Sequence, residues 1–223
     1  MKLSENTLNV LKNFSAINMG LVFKNGNVLR TISKQQNIMA KATVGESFDK
    51  NFAIYDLNRF LSLVGSLKDP DIVVNTDKDN LKIVSGSSSA TYGLSSPEMV
   101  VAPPEKDLKI ENAEVNFKLT KDDLAQVLKL SGVLGLPNIA VRGNRDKITL
   151  SALDVKNKDT DDFSIEVGKT TADFQMIFVT ENFKMIPGNY DVAISSKGLA
   201  HFKHTSDPIE YWIATEVGSR YDA

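Results

Sequence analysis

The pattern of apolar positions divides the chain into short helical and extended segments. Apolar side chains recur at helical spacing after residues that commonly cap helices, first at Leu8 and Leu11 after Ser4. Four such segments are predicted to be helices: Ser4 to about Phe14, Asp56 to Leu67, Thr120 to Leu130, and a short one from Thr180 to Pro187.

Segments of extended periodicity lie between these helices. Asn25-Gly26 favours a type I′ hairpin between 19–24 and 28–32, since both residues tolerate positive φ angles. Ser85–Tyr92 is expected to be a loop or a weak edge strand. The other predicted strands are 52–55, 72–75, 81–84, 115–119, 138–142, 147–153, 163–167, 174–179, 190–195, 198–204 and 210–217. Four helices among many short strands indicate an α+β fold with antiparallel sheets.

The same order of segments occurs twice, which indicates an internal duplication. Leu8 and Leu124 each follow a capping residue and are 116 positions apart, whereas Leu29 and Ile148 match at an offset of 119. Offsets that rise slowly and in order are what loop insertions produce in a duplicated domain. Chance matching of common apolar residues is the alternative. Two similar domains favour a scaffold or a ring segment over an active-site cleft.

Residues 95–112 interrupt this pattern and are predicted to connect two domains, 1–94 and 113–223. Three prolines exclude a central strand in this connector. Met99–Ala102 is an apolar island in a segment that is expected to lie on the surface. It either fastens the connector to the core or forms one wall of a partner-binding pocket, and both interpretations stay open.

Residue chemistry argues against an enzyme. The chain has no cysteine, which removes thiol catalysis and cysteine-ligated zinc, and no phosphate-binding loop or nucleophile elbow is present. His201 and His204 are expected to face solvent, and Asp159–Asp162 is expected to be a solvated acidic turn. We therefore predict no catalytic residue, no metal and no cofactor.

Charge and hydropathy narrow the class of protein further. The net charge of −2 gives no overall attraction to DNA or to acidic membranes, and no stretch approaches the roughly 18 apolar residues of a membrane span. Two classes of protein stay open: a non-catalytic structural or assembly module, and a hydrolase that uses an aspartate pair within 154–162.

Short matches to one family occur in order along nearly the whole chain. They include Leu11–Phe14, Ala53–Asn58, Val100–Pro103 and Pro187–Tyr190. Together they make the chain resemble the DNA polymerase sliding clamps of T-even bacteriophages. The resemblance implies a duplicated subunit with two helices in each domain, and three subunits closing head-to-tail into a ring.

The resemblance also implies partners and a location. A clamp of this family encircles duplex DNA without regard to sequence and tethers the phage replicative DNA polymerase. The implied protein partners are an ATP-driven clamp loader and the late-transcription machinery with the host RNA polymerase. The implied location is the cytoplasm of the infected bacterium.

If the helices line the bore of a ring, their cations are the residues expected to contact DNA phosphates. The predicted bore residues are Lys12, Arg59, Lys121, Lys129 and Lys184. The alternative is that these charges simply face water on amphipathic helices.

The resemblance further implies a partner pocket and two subunit edges. Clamp partners insert an apolar terminal peptide into a pocket, which we expect to be formed by Val100, Val101, Ala102, Pro103 and Ile213. Subunits are expected to join through short, partly polar edge strands that contain Ser89, Tyr92 and Leu94 in the first half and Phe163, Ile165 and Val167 in the second.

Overall fold

A computed structural model describes residues 1–106, 108–157 and 159–222. The chain divides into two compact units, Met1–Glu105 and Lys106–Ala223. The division falls within residues 95–112. No helix in the described part of the chain is long and apolar enough to cross a membrane.

The first unit contains two α-helices and seven strands. Its elements are α1 (Glu5–Ile17), β1 (Leu21–Phe23), β2 (Gly26–Ile32), β3 (Ile38–Phe48), β4 (Phe52–Ile54), α2 (Leu57–Gly65), β5 (Asp71–Asn75), β6 (Asn80–Ser85) and β7 (Ser88–Gly93). β1 pairs with β4, β2 pairs with β3, and β5, β6 and β7 form a three-stranded sheet in that order, all antiparallel. The rings of Phe23, Phe48 and Phe52 pack together in its core.

The second unit repeats this order with one α-helix. Its elements are β8 (Val115–Leu119), α3 (Lys121–Leu134), β9 (Asn138–Asn144), β10 (Lys147–Leu153), β11 (Phe163–Lys169), β12 (Asp173–Val179), β13 (Tyr190–Ser195), β14 (Leu199–His204), β15 (Ile209–Ala214) and β16 (Arg220–Asp222). One antiparallel sheet has the order β11-β10-β9-β12-β16, and another part of the unit has the order β15-β14-β13-β8. The α+β class with antiparallel sheets is confirmed.

Side chains at the predicted capping positions begin all three α-helices. The hydroxyl of Ser4 accepts a hydrogen bond from the Thr7 N–H at 3.3 Å, and the carboxylate of Asp56 accepts one from the Arg59 N–H at 2.9 Å. Thr120 caps α3 in the same way, accepting from the Asp123 N–H at 3.1 Å. Each cap supplies an acceptor to a backbone donor that has no partner within the first helical turn.

The predicted fourth helix is wrong. Thr180–Asn182 forms a single 3₁₀ turn, and the following residues are irregular. The backbone of Ile186 is bonded to side chains: its N–H donates to the Tyr211 hydroxyl at 3.1 Å, and its carbonyl accepts from the Tyr190 hydroxyl. These bonds take the place of the hydrogen bonds of a helix. Pro187 has no N–H and cannot donate a helical hydrogen bond either. The described residues therefore contain three α-helices rather than four.

The predicted Asn25-Gly26 hairpin is also wrong. β1 pairs with β4 instead of β2, and Gly26 pairs with Phe48 at the end of β3. Asn25 has no positive φ angle, because its N–H donates to the side chain of Asn51 at 2.7 Å and its own amide donates to the Asp49 carbonyl. The equivalent strands of the second unit, β9 and β10, do form the predicted hairpin.

Candidate DNA and partner interfaces

Four exposed cations lie on the three helices. Lys12 is on α1, Arg59 is on α2, and Lys121 and Lys129 are on α3. Their exposure follows from helix amphipathicity, since the opposite face of each helix carries the buried apolar residues. Lys184 is also exposed, but it lies in the irregular segment after Thr180–Asn182, so its assignment to a helix is wrong.

Arg59 differs from the other three cations because it also contacts a strand. Its guanidinium carbon lies 6.0 Å from the centroid of the Tyr92 ring, close enough for a cation–π contact. Tyr92 is buried on β7, and its hydroxyl donates a hydrogen bond to the Asp56 carbonyl at 2.8 Å. Arg59 is therefore held against the outermost strand of its sheet.

A cavity of about 200 Å³ lies between residues 102–105 of the connector and strands β1 and β2. Its lining combines apolar side chains with three charges: Val22, Lys24, Asn25, Val28, Arg30, Ala102, Pro103, Pro104 and Glu105. A concave surface with apolar side chains in its lining and the exposed charges of Lys24 and Glu105 at its rim is suited to one or two apolar side chains of a ligand.

Asn18 fastens the connector beside this cavity. Its side-chain amide donates to the carbonyls of Val101 and Ile32, both at 2.9 Å, and its carbonyl oxygen accepts from the Gly20 N–H at 3.1 Å. Asn18 is buried, so these three bonds satisfy a polar group that would otherwise be costly to bury. The methyl carbons of Val100 lie 3.0 Å from the position that a Cβ on Gly20 would occupy.

The predicted pocket residues thus separate into three groups. Ala102 and Pro103 line the cavity. Val100 is 8% exposed and packs inward on Gly20, while Val101 is 41% exposed but is not among the lining side chains. Ile213 cannot form the floor of a pocket, because it is on the buried face of β15 and is 0% exposed. The island is therefore fastened to the core through Val100 and the Val101 carbonyl, and a partner pocket walled by Ala102 stays a prediction.

Charges at the rim of the cavity form an ion pair. Lys24 Nζ lies 2.5 Å from Glu105 Oε1, and both side chains are largely exposed. The pKa of the Glu105 carboxyl is lowered, first by the hydrogen bond and charge of Lys24 and then by the charge of Arg30. Sequence reasoning missed Lys24, Arg30, Glu105 and Asn18, since residues about 80 positions apart carry no local pattern that brings them together.

Each unit has a sheet that ends in a predicted interface strand. β7 is outermost in the order β5-β6-β7, and β11 is outermost in β11-β10-β9-β12-β16. Ser89 is exposed, Leu94 is half-buried beyond the end of β7, and Phe163, Ile165 and Val167 are half-buried on β11. Among the described residues, neither strand has a strand partner on its outer side.

The histidines are not solvent-facing, contrary to expectation. His204 is buried, and its Nδ1 accepts hydrogen bonds from the backbone N–H groups of Ser206 and Asp207 at 3.2 and 2.8 Å. His201 is half-buried, stacks on Trp212 and lies 2.8 Å from a Glu210 oxygen. Within the ranges that the structure describes, no three metal-ligating side chains come together.

Comparison with known proteins identifies the family. The chain is 35% identical over 227 residues to the sliding clamp of Vibrio phage KVP40, covering 97% of this chain and 100% of the relative. The chain belongs to the sliding clamp family. The sliding clamp of Enterobacteria phage T4 is 30% identical over 229 residues, with full coverage of both chains.

Family models give the same assignment, and solved structures share the fold. Residues 2–102 match the DNA polymerase processivity factor family, and residues 116–217 match the family described as gp45 sliding clamp, C terminal. The fold is similar to the PCNA chain in the structure of the C-terminal region of FEN-1 bound to A. fulgidus PCNA, with a TM-score of 0.70, 13% identity and 98% coverage of both chains. PCNA from Entamoeba histolytica gives a TM-score of 0.65 with 94% coverage of both chains.

The family settles the class of function. The chain is a phage sliding clamp, a processivity factor for DNA polymerase, and proteins of this kind are not catalytic. Each family model falls on one half of the chain.

Proposed function

We propose that three copies of this clamp subunit close head-to-tail into a ring around duplex DNA, with β7 of one subunit pairing with β11 of the next. The observation that carries the proposal is that β7 in the first unit and β11 in the second each end a sheet and, among the described residues, have no strand on their outer side. A contact between two different edges is heterologous, and such contacts give a closed ring when their rotation divides a full circle.

Residue chemistry at the two edges supports this pairing. β7 has the sequence SSATYG and carries no charge, which is unusual for a strand whose edge is left in water. On β11, Phe163, Ile165 and Val167 are apolar and only half-buried within one subunit. Pairing β7 with β11 would give hydrogen-bond partners to the outer backbone groups of both strands. It would also bury more of the apolar side chains of β11.

Backbone alternation shows which groups of β7 are available. The two-residue turn at 86–87 makes Ser85 and Ser88 the closing pair of the β6–β7 hairpin. Because hydrogen-bonded pairs alternate in an antiparallel ladder, Ser89, Thr91 and Gly93 direct their N–H groups outward. The same alternation across β6 directs the Ile72 N–H outward on β5, where it donates to the Met1 carbonyl at 2.8 Å.

We assign the helix cations Lys12, Arg59, Lys121 and Lys129 to the bore of this ring. Contacts between such cations and phosphates do not depend on base sequence, which suits a protein that must move along DNA. The ring needs positive potential only around the bore, so a net charge of −2 is compatible with DNA binding.

The proposal extends to the partners of the clamp. We place a terminal segment of the replicative polymerase in the cavity between the connector and β1–β2, since its small apolar base and charged rim fit the end of a peptide. An ATP-driven loader that opens the ring, the late-transcription machinery, and action in the cytoplasm of the infected bacterium follow from the family resemblance alone.

Removing one outward donor of β7 tests the ring. Thr91→Pro deletes an outer N–H and leaves the inner ladder to β6 intact, so the subunit is expected to fold but not to assemble. Light scattering should give three times 24.5 kDa for the unmodified protein and a single subunit mass for the variant.

The matched control places proline on the other edge of the same sheet. Val74→Pro removes an outward N–H from β5, which is not part of the proposed interface, and should stay trimeric. A trimeric Thr91→Pro protein would show that β7 is not the joining edge, and a monomeric parent protein at micromolar concentration would contradict the ring.

A further inference from the structure

The lining of the connector cavity carries one acid and two bases, and the acid is paired with one of the bases. Lys24 and Arg30 lie on or beside the strands that form the base of the cavity, and Glu105 comes from the connector. Lys24 donates to Glu105 at 2.5 Å, so a carboxylate already occupies the cationic side of the cavity in the free subunit. This arrangement differs from a purely apolar peptide pocket.

The geometry points to a chain-terminal carboxylate as the group that Lys24 and Arg30 bind on a partner, with Glu105 occupying its place until the partner arrives. This inference rests on the proposed peptide site in the same cavity. An ammonium and a guanidinium together form strong, charge-assisted bonds to a carboxylate, and the planar guanidinium can bind both of its oxygens.

The lining of the cavity favours a terminal carboxylate over a side-chain carboxylate. Only the last residue of a chain can carry an apolar side chain and a free carboxylate on the same Cα, and Val22 and Val28 line the same small cavity as Lys24 and Arg30. A peptide that ends there places its last apolar side chain on Val22 and Val28 and its terminal carboxylate at the rim. Charge complementarity then fixes the direction in which the peptide lies.

Glu105 is suited to be displaced rather than to act as a permanent part of the wall. Its side chain is 85% exposed, and ion pairs between exposed groups contribute little to stability. Its neighbours in the connector are fixed, because Asn18 holds the Val101 carbonyl and Val100 packs on Gly20. The acid can therefore leave Lys24 without release of the connector as a whole.

Peptide binding tests this inference on the complete clamp. The probe is a fluorescent peptide of the last dozen residues of the phage's own replicative polymerase, prepared once as the free acid and once as the C-terminal amide. The free acid should bind about 10-fold more tightly than the amide, since one charge-assisted contact is lost in the amide.

Two variants separate the roles of the charges. Glu105→Gln keeps the side-chain shape but removes the competing charge, and should tighten binding of the free acid about 3-fold while leaving the amide unchanged. Lys24→Gln should reduce the preference for the free acid. Glu98→Gln and Lys34→Gln are matched controls, because both residues are exposed in the same unit and neither lines the cavity.

The outcomes distinguish this inference from the proposed site itself. Equal binding of acid and amide, or unaltered binding to Glu105→Gln, would overturn the carboxylate exchange while leaving the peptide site in place. If acid and amide bind equally and a neutral replacement of an acidic side chain in the peptide weakens binding, the recognised carboxylate is internal and the inference is wrong. If neither peptide binds, the proposed site and this inference both fail.

Discussion

Gly188 lies directly against the ring of His204. A Cβ on Gly188 would be 1.8 Å from Nε2 of this buried histidine. The ring cannot easily move away, because its Nδ1 accepts two backbone hydrogen bonds and it packs perpendicular to the ring of Tyr190 at a centroid distance of 5.1 Å. Close packing therefore requires glycine at position 188. The sequence alone gives no sign of this contact.

Gly188→Ala is therefore expected to destabilise the protein by about 1–3 kcal/mol, the usual cost of forcing an extra carbon into a packed site. The measurement is urea unfolding followed by circular dichroism. Gly132→Ala is the matched control: it lies within α3 with open space around the new methyl group, and should stabilise the helix by about 0.5–1 kcal/mol. Similar stability of both variants would mean that the His204 ring can move away from the new methyl group without lowering the free energy of unfolding.

At the scale of elements, the segment that replaces the predicted fourth helix depends on two buried phenols. Burial raises the pKa of the Tyr190 hydroxyl, with smaller contributions from Tyr211 and Asp207, and burial likewise raises the pKa of the Tyr211 hydroxyl. Both hydroxyls are bonded to the backbone of Ile186. Burial makes the folded protein favour the neutral form of both groups, although the Ile186 N–H that donates to Tyr211 partly opposes the rise in the pKa of that hydroxyl.

This preference predicts a loss of stability at alkaline pH. The full contribution is present below the ordinary tyrosine pKa of about 10; above it the unfolded chain ionises first, so the free energy of unfolding falls by up to about 1.4 kcal/mol per pH unit for each tyrosine. Urea unfolding between pH 9 and 12 checks this expectation. The double variant Tyr190→Phe/Tyr211→Phe should be less stable at neutral pH but show a shallower decline, and parallel declines would contradict the assignment.

Local signals explain which elements the sequence predicts. All three α-helices begin after the predicted caps because a side-chain cap acts within four residues. β3 was not predicted, since its 11 residues include alanine, glycine and threonine, which weaken an alternating apolar pattern. The predictions of a fourth helix and of the first hairpin are wrong for a different reason. Ile186 and Asn25 form hydrogen bonds with partners distant in sequence.

The candidate sites also contain some features that local sequence determines and others that depend on residues distant in sequence. Exposure of Lys12, Arg59, Lys121 and Lys129 follows from helical periodicity, which is local. The rim of the cavity depends on Lys24 meeting Glu105 across 81 positions, and only the folded chain brings them together.

At the scale of the whole molecule, the proposed bore can be tested through salt. Lys12 and Lys129 are the better pair to remove, because Arg59 also contacts Tyr92 on the proposed subunit edge. In a trimer, Lys12→Ala/Lys129→Ala deletes two cations from each subunit. Affinity for linear duplex DNA should fall, and its dependence on salt concentration should become shallower, since fewer counterions are released.

The control for this prediction is Lys34→Ala/Lys197→Ala, which removes two exposed cations from turns rather than helices. The control should bind DNA with nearly the parent slope, and light scattering should show that both variants keep the parent mass. A parent-like slope for Lys12→Ala/Lys129→Ala would mean that these helices do not face DNA, whether or not the ring exists.

Asn18 links the end of α1 to the connector. It is the C-terminal cap of α1, a helix assigned here to DNA, and it also bonds the Val101 carbonyl beside the cavity assigned to the polymerase. A duplex contact that shifts the end of α1 would therefore shift the cavity wall as well. Thermodynamic reciprocity then requires that a bound polymerase segment change the affinity of the clamp for DNA by the same factor as DNA changes its affinity for the polymerase. The buried side-chain amide of Asn18 would thus couple binding of DNA to binding of the polymerase.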